Sequence, residues 1–157
     1  MIQKIPTDKK LRYFKLLSIY TLSVMYIFIG TKHFIHPEYF MVIIPPTFPS
    51  PKILVLISGF FEIFFGFLLL FQKSRKLASW GIIVLLVSVF PANIYLYVSE
   101  APRDILQISK NQALFRMPFQ IPLIIISYWH SISNSSSLFS YFCLILFFPT
   151  IIYFLLI

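Results

Sequence analysis

A single carboxylate interrupts the most apolar stretch of this sequence. Glu62 lies halfway along ILVLISGFFEIFFGFLLLF, residues 53–71, which carries no other charge. A charge at the middle of a bilayer costs roughly 2.5–3.5 kcal/mol on insertion scales, and such residues face protein or a wet cavity rather than lipid. Glu62 therefore either stays protonated or pairs with a cation or a hydrogen-bond donor. Its position predicts a ligand or proton site, with interhelical bonding as the structural alternative.

Five other polar residues are expected between the middle of the membrane and the surface that Glu62 approaches. Helices rise about 1.5 Å per residue, which places Glu62 at mid-bilayer, and successive spans alternate in direction. We expect Asn93 and Ser58 to bond Glu62, whereas Arg116 would have to reach inward. The other half of the bundle is expected to contribute little beyond Ser and Thr hydroxyls. The predicted ligand-binding residues are Glu62, Ser58, Asn93, Arg116, Gln120 and His33.

These residues need a helical scaffold within the membrane. The chain has 157 residues, 59% of them hydrophobic and only 11% charged, and a membrane-crossing helix needs about 20 largely apolar residues. We predict an all-α fold, a polytopic transmembrane helical bundle with four core helices in residues 1–132. Residues 133–157 add a polar linker, SISNSSS, and a hydrophobic segment that is either a fifth span or an appended tail. The apolar runs are 16–31, 53–72, 77–99, 117–131 and 138–157.

The charges and prolines outside these runs predict the topology and the connections. A cytoplasmic N-terminus would place eight Lys/Arg inside and five outside, which favours that orientation. Pro37 is expected to open a short helical turn that Pro45 and Pro46 end, so that YFMVII lies at the interface or dips into the bundle mouth. The segment EAPRDILQISKNQALFR, residues 100–116, is expected to form one surface amphipathic helix.

Several cofactors and partners are disfavoured by the residues present. Cys143 is the only cysteine, which excludes an internal disulfide and any iron–sulfur cluster held by one chain. His33 and His130 end their spans at opposite surfaces, which argues against haem. A metal site of His33, His36 and Glu38 is weakly specific, and we predict no metal centre. The sequence has no glycine-rich nucleotide loop and no basic stripe, so we predict no nucleic-acid partner.

Five motifs, taken in order, resemble the DoxX-like family of small bacterial membrane proteins: KHFIHPEYF followed by IIPP, SGFFEIFFGFLLL, ASWG, VFPANIYLY and RMPFQIPLIIISYW. The resemblance runs over about residues 13–129 and implies a four-helix, multi-pass protein of the bacterial inner (cytoplasmic) membrane. The family takes its name from a small subunit of a thiosulfate–quinone oxidoreductase. The hydrophobic segment after residue 133 departs from that pattern. Positions that match are His33, Phe34, Pro37, Ser58, Gly59, Glu62, Gly66, Pro91, Asn93, Arg116, Pro118 and Gln120.

The leading functional prediction is an accessory or quinone-interacting subunit of a membrane redox system, not an independent enzyme. Its expected partners are the lipid bilayer, a membrane or periplasmic redox protein, and a second copy of the chain. Glu62 would exchange a proton, while Arg116, Gln120, Asn93 and His33 would hold a quinone carbonyl or an anionic head group. One alternative is a non-enzymatic assembly or cargo factor. Another is a small-solute carrier, although a chain without an inverted repeat is a poor candidate for a complete carrier.

Overall fold

The computed structural model describes the backbone of residues 9–156 and the side chains of residues 9–154. This part of the chain is helical and forms no strand, which confirms the predicted all-α fold. Its helices are α1 (Lys9–Ile35), α2 (Pro37–Met41), α3 (Pro51–Leu69), α4 (Arg75–Val98), α5 (Glu100–Leu106), α6 (Lys110–Ser131) and α7 (Ser137–Leu156).

The five long helices form a closed bundle. Helix α1 packs against α3, α3 against α4, α4 against α6, α6 against α7, and α7 returns to α1. All five contribute to one apolar core, whereas many large apolar side chains on the outside are exposed, including Val24, Val84 and Ile145 at more than 60%. Lipid tails satisfy such a surface, and each helix bonds its own backbone internally. The core residues are Ile19, Leu22, Tyr26, Leu69, Ala78, Ile82, Leu86, Leu123, Ile126, Phe147 and Ile151.

Among the described helices, four are long and apolar enough to cross a membrane: α1, α3, α4 and α7. Helix α6, which contains the predicted fourth core span, does not meet that measure because it carries Lys110, Arg116 and two glutamines among its residues. The segment after the polar linker does meet it. Helix α7 buries Cys143 completely and places Phe147 and Ile151 in the core. The C-terminal run is therefore a packed helix of the bundle.

Glycines allow α1 and α3 to approach closely. A Cβ atom added to Gly30 would lie 2.7 Å from the carbonyl oxygen of Gly59, and one added to Gly59 would lie 2.5 Å from Cβ of His33. Farther along the same contact, Ser23 Oγ donates a hydrogen bond to the Gly66 carbonyl oxygen at 2.7 Å. Small residues at such crossings let the backbones meet, as is typical within membranes. The crossing fixes the relative register of α1 and α3.

The short connections shape the end of the bundle where α1 stops. Pro37 opens α2 as predicted, and a turn closed by a hydrogen bond from the Ile44 amide to the Met41 carbonyl follows it. The expected single helix over residues 100–116 is instead divided, since Gln107 has a left-handed backbone conformation, with φ 54°, that ends α5. Ser109 and Gln112 then start α6 with reciprocal capping hydrogen bonds.

Candidate functional site

One cavity of about 180 Å³ brings together all six residues that the sequence predicted as a site. It lies at the end of the bundle where α1 stops, and α2 and the turn after it cover part of it. Its remaining walls are mostly apolar and come from six of the seven described helices. The polar and aromatic residues that line it are Tyr26, His33, Phe40, Ser58, Glu62, Asn93, Arg116, Gln120 and Phe154.

Glu62 and His33 form the closest ionisable pair in this cavity. The Oε2 atom of Glu62 lies 3.2 Å from Nδ1 of His33, and both side chains are nearly buried. The same Nδ1 lies 2.9 Å from the carbonyl oxygen of Ile29. A carbonyl only accepts, so Nδ1 carries the proton and directs it to Ile29. The short distance between Nδ1 and Oε2 is therefore not a hydrogen bond, and Oε2 of Glu62 has no hydrogen-bond partner among the described residues.

The depth of His33 differs from the sequence expectation. His33 lies two residues before the end of α1, and we expected it near the membrane surface, whereas Glu62 lies eleven residues into α3. The two meet because α1 and α3 run antiparallel and cross closely at Gly30 and Gly59, which places His33 beside Gly59 and Glu62 beside Gly30. Helix α2 covers that end, and Phe40 stacks on the His33 ring at 3.6 Å between centroids. His33 is therefore 6% exposed and level with Glu62.

Several polar groups in the cavity have no partner within the described part of the chain. The hydroxyl of Tyr26, Oε2 of Glu62 and Oε1 of Gln120 are buried without a hydrogen bond. Arg116 lines the same cavity and forms no hydrogen bond or salt bridge with the described residues. Buried polar groups in folded proteins nearly always have partners. The arrangement therefore suits an occupant that offers both donors and acceptors.

Ser58 and Asn93 have different surroundings from those expected. The Ser58 hydroxyl donates to the Val55 carbonyl oxygen of its own helix at 2.9 Å, which leaves its oxygen free to accept. Asn93 is buried at 8% exposure, two residues after the helix-interior Pro91. Neither forms a hydrogen bond with Glu62. Both line the cavity, where they can contact an occupant.

Sequence reasoning missed three aromatic contributors to the cavity. Tyr26 precedes His33 by seven residues, two helical turns, so helical spacing alone could have placed both on one face. Phe40 reaches the cavity only because α2 folds back over the end of α1. Phe154 comes from α7, in an apolar run where no residue stands out. Their rings make the cavity mostly apolar, with a few polar groups that converge.

The three histidines do not cluster in the structure. His36 pairs with Glu38 at 3.4 Å on the exposed surface of the α2 region, apart from the buried His33. His130 lies at the opposite end of the bundle, where its Nε2 is 2.9 Å from Ser18 Oγ. Within residues 9–156, no three His, Cys, Asp or Glu side chains cluster closely enough to hold a metal ion. The arrangement around Glu62 suits proton exchange and hydrogen bonding to a small molecule.

An apolar groove adjoins the cavity on the outer surface of α3 and α4. It has a volume of about 620 Å³ and is lined by side chains such as Phe61, Phe65 and Trp80. Four residues line both the groove and the cavity: Ile44, Ser58, Val89 and Ala92. The cavity and the lipid-facing groove therefore meet at these four residues.

Fold and site together define a small helical membrane protein with a partly enclosed cavity that a few polar side chains line. A family model described as a domain of unknown function, DUF8561, matches residues 22–131. That match spans 110 of the 157 residues, and the chain belongs to this family. None of the curated proteins and none of the solved structures compared with the chain matches it.

The family match corrects the DoxX-like assignment, which is wrong. The motifs behind it are glycines, prolines and isolated polar residues within apolar helices. Gly30 and Gly59 show why these are weak markers, since any bundle with a close helix crossing needs small residues at the contact. The placement in a bacterial inner membrane rested on that resemblance and loses its support with it.

Proposed function

We propose that the cavity binds the head group of an amphipathic ring compound of the quinone type, and that the protein is a non-catalytic quinone-binding component of a membrane redox system. The observation that carries this proposal is the set of unpartnered polar groups in an otherwise apolar cavity. Tyr26, Glu62 and Gln120 each have a buried atom without a hydrogen bond, and Arg116 lines the same space.

The size of the cavity supports a single ring. An apolar cavity of roughly 150 Å³ takes up benzene, and this one measures about 180 Å³. A longer tail would not fit inside. The adjoining groove of about 620 Å³ gives such a tail an apolar path to the lipid, and the shared residues Ser58 and Ala92 line the boundary between the two. The ligand class is therefore a ring with hydrogen-bonding oxygens and a hydrophobic tail.

Different polar groups would form hydrogen bonds with the oxidised and with the reduced form of such a ring. The Arg116 guanidinium and the Tyr26 hydroxyl can donate to the carbonyl oxygens of a quinone. Oε2 of Glu62 and Oε1 of Gln120 can accept from the hydroxyls of the reduced quinol. Glu62 is the group that takes or gives the proton when the ligand changes form, with His33 beside it. Electrons would be exchanged with a redox partner protein, in keeping with an accessory role.

The orientation that fits this proposal has the N-terminus in the cytoplasm. The end of the bundle that contains the start of α1 also contains Lys73, Arg75 and Lys76 near the start of α4, and cytoplasmic ends are enriched in such residues. The cavity would then lie toward the outer face, where a redox partner in the membrane or at that face could reach it. Attachment of a membrane-impermeant reagent to a single cysteine placed at residue 73 in a cysteine-free variant tests the orientation.

The test is direct binding of a short-chain benzoquinone to the protein in neutral-lipid nanodiscs, measured by calorimetry. Glu62→Gln and Arg116→Gln are compared with Glu38→Gln, which changes an exposed carboxylate. Hydrogen bonds to charged groups contribute about 1.5–3 kcal/mol, so we expect each cavity variant to bind roughly tenfold to a hundredfold more weakly. Folding is checked by circular dichroism. Equal affinity in all folded variants would refute the assignment.

A second function, an assembly or cargo factor, is favoured by one observation. The contact between Glu62 and His33 lies at the crossing of α1 and α3, so its role would be to join the helices. In that case Glu62→Gln lowers the folded yield or the recovery of partner proteins, while the short-chain quinone binds neither wild type nor variant. The binding assay and the recovery of partners therefore separate the two functions.

A further inference from the structure

A second, larger pocket lies at the opposite end of the bundle. It is lined by Lys15, which precedes His33 by 18 residues along α1. Its volume is about 740 Å³, and it lies between the start of α1, the start of α4 and the linker that joins α6 to α7. The sequence predicted little polarity in this half of the bundle, and that expectation is wrong. Among the residues that the structure describes, no carboxylate lines the pocket, and the cationic side chains that line it are Lys9, Arg12, Lys15, Arg75 and Lys76.

Two of these cations are held in place by the ends of other helices. Lys15 Nζ donates to the Ile132 carbonyl oxygen at 2.6 Å, just past the end of α6, and lies over the Trp129 ring. Arg75 Nε donates to the Leu69 carbonyl oxygen at 3.1 Å, at the end of α3. Both side chains are half-buried. The positive charge is thus built into the bundle and surrounds a concavity.

His130, which lines the same pocket, has a buried acceptor with no partner among the described residues. The Ser18 hydroxyl donates its one proton to the Lys15 carbonyl oxygen at 2.9 Å. Its oxygen therefore accepts from Nε2 of His130, 2.9 Å away. Neutral His130 then has its lone pair on Nδ1, which is buried and has no hydrogen-bond partner among the described residues. His130 is only 2% exposed and lines the pocket.

We propose that this pocket binds a ligand that contains both a phosphate group and a hydroxyl group. The cations neutralise the phosphate, and the hydroxyl donates to Nδ1 of His130. A phosphatidylglycerol head group and hydrogen phosphate both have this chemistry. The location favours lipid as the source, because basic pockets between membrane helices bind anionic head groups. The inference is independent of the Glu62 cavity.

The experiment uses full-length protein in phosphatidylcholine nanodiscs with and without phosphatidylglycerol, and native mass spectrometry measures the phosphatidylglycerol that stays bound. Arg12→Gln and Lys76→Gln remove exposed cations of the pocket, so neither is expected to disturb the fold. Lys52→Gln is the matched control, since Lys52 is an exposed cation at the other end of the bundle. We expect each pocket variant to retain lipid roughly fivefold more weakly, with the control unchanged.

A second arm identifies the source of the phosphate. Inorganic phosphate is added to the protein in phosphatidylcholine nanodiscs, and its effect on Tm is compared with that of chloride at equal ionic strength. A phosphate-specific rise in Tm that is lost in Arg12→Gln and Lys76→Gln, with no selective retention of phosphatidylglycerol, assigns the pocket to free phosphate. Variants that match Lys52→Gln in both arms overturn the proposal.

Discussion

Replacement of Gly59 by alanine tests the close crossing that holds the Glu62 cavity together. The added Cβ would lie 2.5 Å from Cβ of His33, whereas carbon atoms pack at about 3.5–4.0 Å. Helices α1 and α3 must therefore separate by roughly 1 Å at this point. His33 Cβ is attached directly to the backbone of α1, so a change of rotamer cannot move it away. The whole helix has to shift.

The expected cost follows from two opposing contributions. Overpacking of a tight contact costs about 1–3 kcal/mol. The cost for Gly59→Ala lies in the upper part of that range because Cβ of His33 cannot rotate away. Alanine favours a helix over glycine by about 0.8–1 kcal/mol. The net loss in the free energy of unfolding for Gly59→Ala is about 1–2 kcal/mol, which changes the folded-to-unfolded ratio by about 5–30-fold.

Gly81→Ala is the matched control. There the added Cβ would meet the far edge of the Phe65 ring, at 2.4 Å from Cε1 and Cζ, and that half-buried ring can turn aside. Alanine should leave the stability unchanged or raise it slightly. Both variants are unfolded reversibly in mixed micelles and followed by circular dichroism. Equal stability of Gly59→Ala and Gly81→Ala would refute the tight crossing and, with it, the reason why His33 lies level with Glu62.

Three further predictions concern single contacts in the bundle. Ser23→Ala should cost about 0.5–1.5 kcal/mol of unfolding free energy, since it removes a buried bond to the Gly66 carbonyl oxygen; Thr21→Ala, which removes only an exposed bond within α1, should cost little in the same micelle assay. Phe40→Ala should speed the dissociation of a short-chain benzoquinone in stopped-flow fluorescence, because Phe40 covers part of the cavity; an unchanged rate would show that ligands enter elsewhere. Cys143 should resist maleimide in the folded protein and react after unfolding, because it is fully buried; rapid labelling of the folded protein would contradict the packing of α7.

The sequence allowed the candidate site to be predicted where polar residues contrast with their surroundings. All six predicted residues line one cavity, in keeping with the rule that ionisable side chains within a membrane face the interior of the protein. The partner of Glu62 could not be derived in the same way. It depends on the register of α1 and α3, and that register is fixed by the contact of Gly30 with Gly59. Phe40 and Phe154 carried no signal, since aromatic residues occur throughout the apolar helices.

The long apolar helices were predictable, but the role of the last one and the division of the polar segment before α6 were not. Apolar length predicted the long helices, and the run at 138–157 proved to be a packed member of the bundle. The prediction of a single helix over residues 100–116 was wrong because Gln107 has a left-handed backbone conformation that ends α5. Such a residue in the middle of a polar segment leaves no pattern in the hydropathy. The polarity of the second pocket was overlooked because Lys15 and Arg75 were interpreted as topology signals alone.

Helix α6 contributes polar residues to both pockets of the bundle. Among the long helices in the described part of the chain, α6 alone is not apolar enough to be recognised as a span, and the positions of its polar residues explain why it can nevertheless lie in the bundle. Arg116 and Gln120 line the cavity at one end, and His130 lines the basic pocket at the other. Helix α6 packs against both α4 and α7, and Gln120 and His130 are buried within the bundle. Helix α7 also lines both pockets, with Phe154 at the cavity and Ser137 and Ser140 at the basic pocket, so it helps to enclose the polar residues of α6.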